Sequence, residues 1–208
     1  TGVTRLLGSM AYLGTTAVLQ SATLEFTNVG ISGAGTLGLG LAAPVFIADG
    51  ATLRFANATA GTYTLAAATT ANSHTFTLPG GNARIDVPTA GVTLVTSGAF
   101  SGAGGLTKTG AGTLQFAGAA NFEGPLIISA GKVVIPATNI IGDTVPVTIA
   151  TGAILEMADS DTFGSLSGTG TLNITGTSGR TIGLGSINTN STFSGALTGA
   201  GVGHSFAK

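Results

Sequence analysis

The sequence predicts an all-β protein, and three observations support this fold class. Apolar and polar residues alternate in short segments, these segments repeat along the chain, and almost no window shows the spacing of an amphipathic helix. Gly accounts for 35 of the 208 residues, against a usual share of about 7%. Because Gly, Thr and Ser at this density disfavour helices, we expect short strands separated by turns.

One short pattern recurs in these segments: a Leu, one polar residue and a second large apolar residue. Successive side chains of a strand point to opposite faces, so the two apolar residues share one face. Each copy therefore predicts a half-buried strand with a pair of core residues. The five pairs are Leu24 and Phe26, Leu53 and Phe55, Leu114 and Phe116, Leu155 and Met157, and Leu172 and Ile174.

Glycine-rich turns separate the segments, and three of these turns contain the pattern Ser-Gly-x-Gly. Gly adopts backbone conformations that other residues avoid, which suits it to tight turns. The predicted structural turn positions are Gly33, Gly35, Gly102, Gly104, Gly110, Gly112, Gly131, Gly168 and Gly170.

The strands are predicted in order from this alternation and from the Gly, Pro, Asn and Asp residues that bound each segment. They cover residues 17–26, 36–41, 45–47, 52–55, 63–65, 74–78, 83–87, 92–95, 112–116, 125–129, 132–136, 145–149, 154–157 and 170–174.

Two architectures hold so many short strands: a β-sandwich or barrel, and a β-solenoid. Repetition favours the solenoid, in which each rung buries its apolar face on its neighbours. The spacing is uneven, since 29 residues separate Leu24 from Leu53 and 17 separate Leu155 from Leu172, so loops of unequal length are expected. Residues 1–208 are expected to form one solenoid domain of about nine rungs and roughly 40–45 Å, with a β-sandwich as the alternative.

Charge and composition exclude several classes of function. Charged residues make up 7% of the chain and the net charge is -1, so no basic stripe is available for nucleic acid. The chain has no Cys, which excludes disulfides and thiolate metal sites. The longest apolar stretch, residues 37–48, is shorter than the ~20 residues of a membrane-spanning helix.

Residues 100–135 read FSGAGGLTKTGAGTLQFAGAANFEGPLIISAGKVVI. This stretch closely resembles the passenger-associated transport repeat, also called the autotransporter-associated β-strand repeat, of bacterial secreted and surface proteins. Residues 147–172 are similar to the linked rung that often follows. The chain departs from the family pattern at residues 123–125, where the family more often has an aromatic residue and paired Gly. The matching positions are Leu106, Thr107, Lys108, Gly110, Gly112, Leu114, Asn121, Gly124, Ala130, Gly131 and Val133.

The resemblance implies a right-handed parallel β-helix exposed outside a bacterial cell, and it brings no catalytic residues. The chain opens at Thr1 without a basic segment and an apolar run. We therefore expect a mature or excised segment, extracellular or on the cell surface, from which a signal peptide has been removed.

Few residues could carry chemistry. His74 and His204 have no Ser or carboxylate partner at a telling spacing, and both are expected to be exposed polar residues. Asp159 and Asp161 lie two residues apart and form a weak candidate site for Ca²⁺, although the further ligands of a calcium loop are absent. No other metal site, no catalytic residue and no cofactor is predicted.

Two outward surfaces could carry a binding function. Arg54, Arg84, Asp86 and Asp49 could share one outward face and form the charged groove of a glycan-active β-helix enzyme. Pairs of Thr at residues 62 and 64, 75 and 77, and 107 and 109 would suit ice binding only if they were in register from rung to rung, which their positions do not indicate.

The sequence favours a non-enzymatic extracellular protein with a structural or adhesive role. Its low charge favours self-association, head-to-tail or lateral, as in a surface filament or a biofilm matrix. Host or matrix glycans are possible partners, and neither nucleic acid nor a membrane span is expected. The alternatives are an autotransporter passenger adhesin stalk and a glycan-active β-helix enzyme.

Overall fold

The computed structural model describes residues 2–6, 15–27, 44–65, 74–177, 179–199, 201 and 203–208. All regular secondary structure within these ranges is β-strand. The strands are β1 (Val3–Leu6), β2 (Thr16–Val18), β3 (Thr23–Phe26), β4 (Val45–Ile47), β5 (Thr52–Phe55), β6 (Gly61–Leu65), β7 (Phe76–Thr77), β8 (Asn82–Asp86), β9 (Val92–Thr96), β10 (Phe100–Gly102), β11 (Gly105–Thr109), β12 (Thr113–Phe116), β13 (Ala120–Phe122), β14 (Leu126–Ile128), β15 (Lys132–Ile135), β16 (Pro146–Ile149), β17 (Ile154–Met157), β18 (Asp161–Phe163), β19 (Ser165–Gly168), β20 (Thr171–Ile174), β21 (Thr181–Leu184), β22 (Ala196–Gly199) and β23 (Ser205–Ala207).

The strands stack into long parallel sheets. Sheet A has the order β1-β3-β5-β8-β11-β14-β16-β19, and sheet C has the order β22-β20-β17-β15-β12-β9-β6. The remaining strands form sheet B, β13-β10-β7-β4-β2, and sheet D, β18-β21-β23. Every pairing between the described strands is parallel.

This topology is a parallel β-helix, which confirms the predicted solenoid over the β-sandwich. Successive turns of the chain each add one strand to sheets A and C, so neighbours in a sheet come from consecutive rungs. β-Sandwiches, the alternative architecture, are built from antiparallel strand pairs. None of the described residues forms a helix that is long and apolar enough to cross a membrane.

Alternation within each strand produces the core. The second and fourth residues of the patterned strands are buried, while the first and third are partly exposed. All ten residues of the five apolar pairs are buried. The same sequence pattern occurs in two sheets of the β-helix: the first two pairs belong to sheet A and the last three to sheet C.

Because neighbouring strands pair in register, their inward side chains stack on one another along the axis of the β-helix. In sheet C, Leu94 pairs with Leu114, which pairs in turn with Val133, Leu155 and Leu172. Each of these side chains is buried, and burying one such side chain stabilises the fold by about 1.5–3 kcal/mol. The core therefore runs as a continuous column along the helix axis.

Aromatic side chains extend the stacking between faces. Phe76 lies parallel to Phe100 with ring centroids 4.2 Å apart, and Phe100 meets Phe116 edge-on at 5.2 Å. Since Phe76 and Phe100 belong to sheet B and Phe116 to sheet C, these contacts hold two faces of the helix together.

The corners between sheets A and C require glycine. Gly110 and Gly131 occupy equivalent turns of successive rungs and have φ angles of +77° and +67°, which other residues rarely adopt. A Cβ at Gly131 would also strike the backbone carbonyls of Gly112 and Gly110 in the rung before. Gly at these corners thus serves both the turn conformation and the close approach of rungs.

The structure differs from the predicted strands in several places. The predicted strand 17–26 is interrupted by a turn at Gln20 and Ser21, where Ser21 has a φ of +59°. In sheet B, β4 and β7 were predicted and β2 overlaps the predicted strand 17–26. The strands that were missed are β10 and β13 of sheet B, β18, β21 and β23 of sheet D, β1, β11 and β19 of sheet A, and β22 of sheet C. The predicted strand 36–41 and the turn positions Gly33 and Gly35 lie outside the described residues.

The described part of sheet A has eight strands, and β22 and β23 add a further rung, since they pair with β20 and β21 of the rung that contains β19. The described strands thus belong to about nine rungs, as expected, and nine rungs at the ~4.8 Å inter-strand spacing span roughly 38 Å.

Candidate functional site

The outer face of sheet A carries a row of alternating charges, which we call the ionic ladder: Arg5, Glu25, Arg54 and Asp86. These residues occupy the same register position on β1, β3, β5 and β8. Arg5 Nε lies 2.9 Å from Glu25 Oε1. Arg54 Nε lies 3.5 Å from Glu25 Oε2 and 3.4 Å from Asp86 Oδ2. Each charge in the ladder thus has an opposite charge on the neighbouring rung.

The ionic ladder includes two residues of the charged groove predicted from the sequence, Arg54 and Asp86. Arg54, Arg84 and Asp86 do lie on the outer face of sheet A, whereas Asp49 lies in a turn and its Oδ1 accepts a hydrogen bond from Asn82 N at 2.8 Å. The Asp86 carboxylate also accepts from the Thr109 hydroxyl at 3.0 Å. Arg54 and Asp86 are thus paired with each other, and Asp49 is engaged by the backbone of Asn82.

The ladder is a modest source of stability. Arg5 and Arg54 are well exposed, and exposed ion pairs typically contribute about 0–1 kcal/mol each. Its main effect is to neutralise the charged groups of this surface pairwise, so little net field reaches solvent.

A second polar row lies on the outer face of sheet C. Lys132 Nζ donates to Glu156 Oε2 at 2.8 Å, and Asn173 Nδ2 donates to the same oxygen at 3.4 Å. Thr198 then donates to Asn173 Oδ1 at 3.1 Å. Sequence analysis did not identify this row, since its members are 17 to 25 residues apart and only the register brings them together.

Asp161 is buried and serves the backbone. Its Oδ2 accepts hydrogen bonds from Ile140 N and Ile141 N, both at 3.0 Å, and its Oδ1 accepts from Thr162 N at 2.8 Å. Burial raises the pKa of this carboxyl above its ordinary value, and the backbone hydrogen bonds only partly oppose that rise. The carboxyl joins the loop before Gly142 to the first strand of sheet D.

Asp159, the other half of the predicted Ca²⁺ pair, lies at the surface. Its Oδ1 is 2.8 Å from Arg180 Nη1 and also accepts from Ser160 N at 2.8 Å. Within the part of the chain that the structure describes, no three His, Cys, Asp or Glu residues are grouped so that they could hold a metal ion. The Ca²⁺ site at Asp159 and Asp161 stays a prediction.

The expectation that both histidines are exposed was wrong for His74, which is buried. His74 has the same alternation phase as Phe76 and Leu78, whose side chains are also buried, and this phase was the signal that could have placed it inside. His204 is half-buried, and its Nδ1 accepts a hydrogen bond from Arg180 N at 3.3 Å.

The three Thr pairs lie on three different sheets. Thr62 and Thr64 belong to β6 in sheet C, Thr77 to β7 in sheet B, and Thr107 and Thr109 to β11 in sheet A. They therefore do not form the single flat array that ice binding requires.

The sequence is similar to those of known bacterial proteins. Residues 106–135 match the family model described as "Passenger-associated-transport-repeat". Over 146 residues, covering 68% of this chain, the sequence is 35% identical to the "Adhesin BmaC autotransporter" of Brucella suis biovar 1 (strain 1330). The chain spans about 4% of the length of that adhesin. No solved structure matches the chain.

Proposed function

Because residues 106–135 are a passenger-associated transport repeat, we propose that the chain is a non-enzymatic segment of a bacterial passenger protein. In this proposal it lies outside the cell or on its surface and serves as an adhesive stalk. The observation that carries the proposal is the ionic ladder, whose charges bind one another along a continuous β-helix. Similarity to a protein named as an autotransporter adhesin supports the same role.

The architecture suits a stalk. Each rung contacts mainly its two neighbours, so length is gained by adding rungs without changing the cross-section. The inward stacks of sheets A and C continue from rung to rung, which gives the rod one unbroken core. An enzyme of this fold would instead need outward charges that converge on a groove, and Arg54 and Asp86 are paired with each other.

Adhesion tests this function directly. Latex beads coated with the 208-residue chain are expected to adhere to an epithelial cell monolayer several-fold more than albumin-coated beads, because the folded outer faces supply the contacts. Beads coated with chain that has been unfolded by heat provide the control. Equal adhesion of chain-coated and albumin-coated beads would contradict the adhesive role.

Self-assembly is the finer part of the proposal, and the last rung supports it. Leu197 pairs with Leu172, and Phe206 pairs with Ile182. Leu172 and Ile182 are fully buried, whereas Leu197 is 55% exposed and Phe206 is 46% exposed. Two core positions of this last described rung are thus open to solvent beside strand edges, where a further rung of the same chain or of a second copy would cover them.

The opposite end of the described rod also has an open strand edge. β1 is the first described strand of sheet A, and its Thr4 and Leu6, which pair with the buried Leu24 and Phe26, are exposed and partly exposed. Contact between two different ends of identical chains does not close on itself, so it propagates into a filament. We infer that copies of the 208-residue segment, taken by itself, associate head-to-tail through these two ends.

We expect sedimentation velocity at low and high protein concentration to detect this association. The wild-type chain should form species that grow with concentration, and the double variant Leu197→Lys with Phe206→Lys should remain monomeric, because charged side chains cannot be buried cheaply in the new interface. Phe46→Lys changes an exposed apolar residue on the outer face of sheet B and should assemble like the wild type.

Two outcomes would contradict end-to-end assembly. A wild-type chain that is monomeric at high concentration would remove the filament and leave the stalk. Loss of assembly in the Phe46 variant alone would indicate lateral association through sheet B.

A further inference from the structure

The strongest unexplained feature of the core is a fully buried lysine. Lys108 lies on β11 between Ile85 of β8 and Ile128 of β14 in the register of sheet A. Leu53 and Ile149 continue the same inward stack. All five side chains are completely inaccessible to solvent. Lysine is almost never buried unless its ammonium group has partners.

The partners of Lys108 are backbone carbonyls of two corners. Its Nζ donates to Thr109 O at 2.6 Å and to Gly110 O at 2.8 Å, which belong to the corner of its own rung. It also lies 3.3 Å from Ala130 O, at the corner of the next rung. Among the backbone hydrogen bonds of the described residues, none is donated to Gly110 O or Ala130 O.

These carbonyls explain why a lysine occupies an apolar stack. The left-handed conformation of Gly110 and Gly131 makes the tight corners, and buried carbonyls that lack a donor are destabilising. An isoleucine at this position, as in the neighbouring rungs, could not reach or serve them. A lysine has an apolar stem for the stack and donors at its tip.

We propose that Lys108 is a positioning residue that ties the corner turns of two successive rungs together through their inward carbonyls. The tie fixes the register between the rung of β11 and β12 and the rung of β14 and β15. This role is independent of adhesion and of end-to-end assembly, and it applies to a single folded chain.

Burial of the Lys108 amine makes stability depend on pH in the alkaline range. Burial lowers the pKa of Lys108 from 10.5 to about 8, and the negative charge of Asp86 on β8 only partly opposes this. The side chains above and below it in the stack, Ile85 and Ile128, are apolar. Between pH 8 and 10.5 the unfolded chain holds a proton that the folded chain has released, so the stability contributed by Lys108 rises with pH across this window.

The test compares thermal unfolding of the wild type and Lys108→Met at pH 7 and pH 10. Methionine fills the stack and donates nothing, so the variant should unfold at a lower temperature than the wild type at pH 10. The wild-type advantage should be larger at pH 10 than at pH 7 by about 5–10 °C, from the linkage relation and the usual dependence of midpoint on stability. An amine at this position that reached solvent would give the same difference at both pH values, whereas the lower midpoint of the methionine variant at pH 10, where Lys108 is neutral in the folded chain, reports the lost hydrogen bonds.

Lys132→Met is the matched control, because it makes the same chemical change in the partly exposed pair with Glu156. It should shift the midpoint by no more than about 4 °C at either pH. A variant at Lys108 that equals the wild type at pH 10, or a difference that does not change with pH, would overturn the proposal.

A second measurement does not require the variant to fold. In wild-type chain with isotope-labelled lysine, an NMR titration should show one of the three lysines losing its proton near pH 8. Titration of all three near pH 10.5 would contradict the buried amine from which the proposal is argued.

Discussion

Replacing Phe100 by Ala is expected to lower the free energy of unfolding by about 3–5 kcal/mol, the usual cost of removing a buried phenylalanine. Phe100 is fully buried, stacks on Phe76 at 4.2 Å and meets Phe116 at 5.2 Å. The cavity would therefore separate sheet B from sheet C, and the rigid rungs around it could not collapse to fill it. Urea unfolding followed by circular dichroism measures the loss.

Phe46→Ala is the control for this prediction. Phe46 lies on the outer face of sheet B and is exposed, so its truncation should cost less than about 1 kcal/mol. If Phe100→Ala and Phe46→Ala cost the same, the aromatic contact between the two sheets would not be a main source of stability.

Gly98→Ala is expected to destabilise the chain by about 3 kcal/mol or to prevent folding. A Cβ at Gly98 would overlap the backbone carbonyl of His74 in the preceding rung. Overpacking typically costs about 1–3 kcal/mol and occasionally more, and here the obstacle is backbone that cannot move to another rotamer. Midpoints of urea unfolding, or the yield of folded protein, report the effect.

Gly80→Ala supplies the matched control, since a Cβ at Gly80 would meet nothing within 4 Å. This substitution should be neutral or should stabilise the fold by about 0.4–1 kcal/mol, because alanine reduces the entropy of the unfolded chain. Wild-type stability in the Gly98 variant would mean that rungs can separate locally, and the close-packed description of this corner would be wrong.

The Phe100 prediction concerns the contact between two sheets and the Gly98 prediction concerns the close approach of two rungs, and both kinds of packing support the rod proposed as a stalk. A stalk transmits force through its strand pairings and its stacked core. The charges of the ionic ladder are paired along the outer face of sheet A, whereas the core positions Leu197 and Phe206 of the last described rung are exposed. In the proposed function, adhesion and end-to-end assembly would therefore use different parts of the same rod.

The sequence alone predicted much of the fold, because alternation is a local property. Residues two apart in a strand share a face whatever surrounds them, so the pair Leu114 and Phe116 could be placed in the core from its own segment. Repetition of such pairs favoured a solenoid. The repeat at residues 106–135 could also be identified, since its Lys-x-Gly-x-Gly spacing lies within one short stretch.

The tertiary structure decided which faces these strands form and which polar groups meet. Glu25 and Arg54 are 29 residues apart in sequence, and they pair only because loops of unequal length bring β3 and β5 into register. Lys108 alternates like a core residue, but its reason for being there is a set of carbonyls from two separate corners. Side-chain alternation is determined by a few neighbouring residues. The register between strands depends on the length and path of each loop, so it is determined only when the rungs pack on one another.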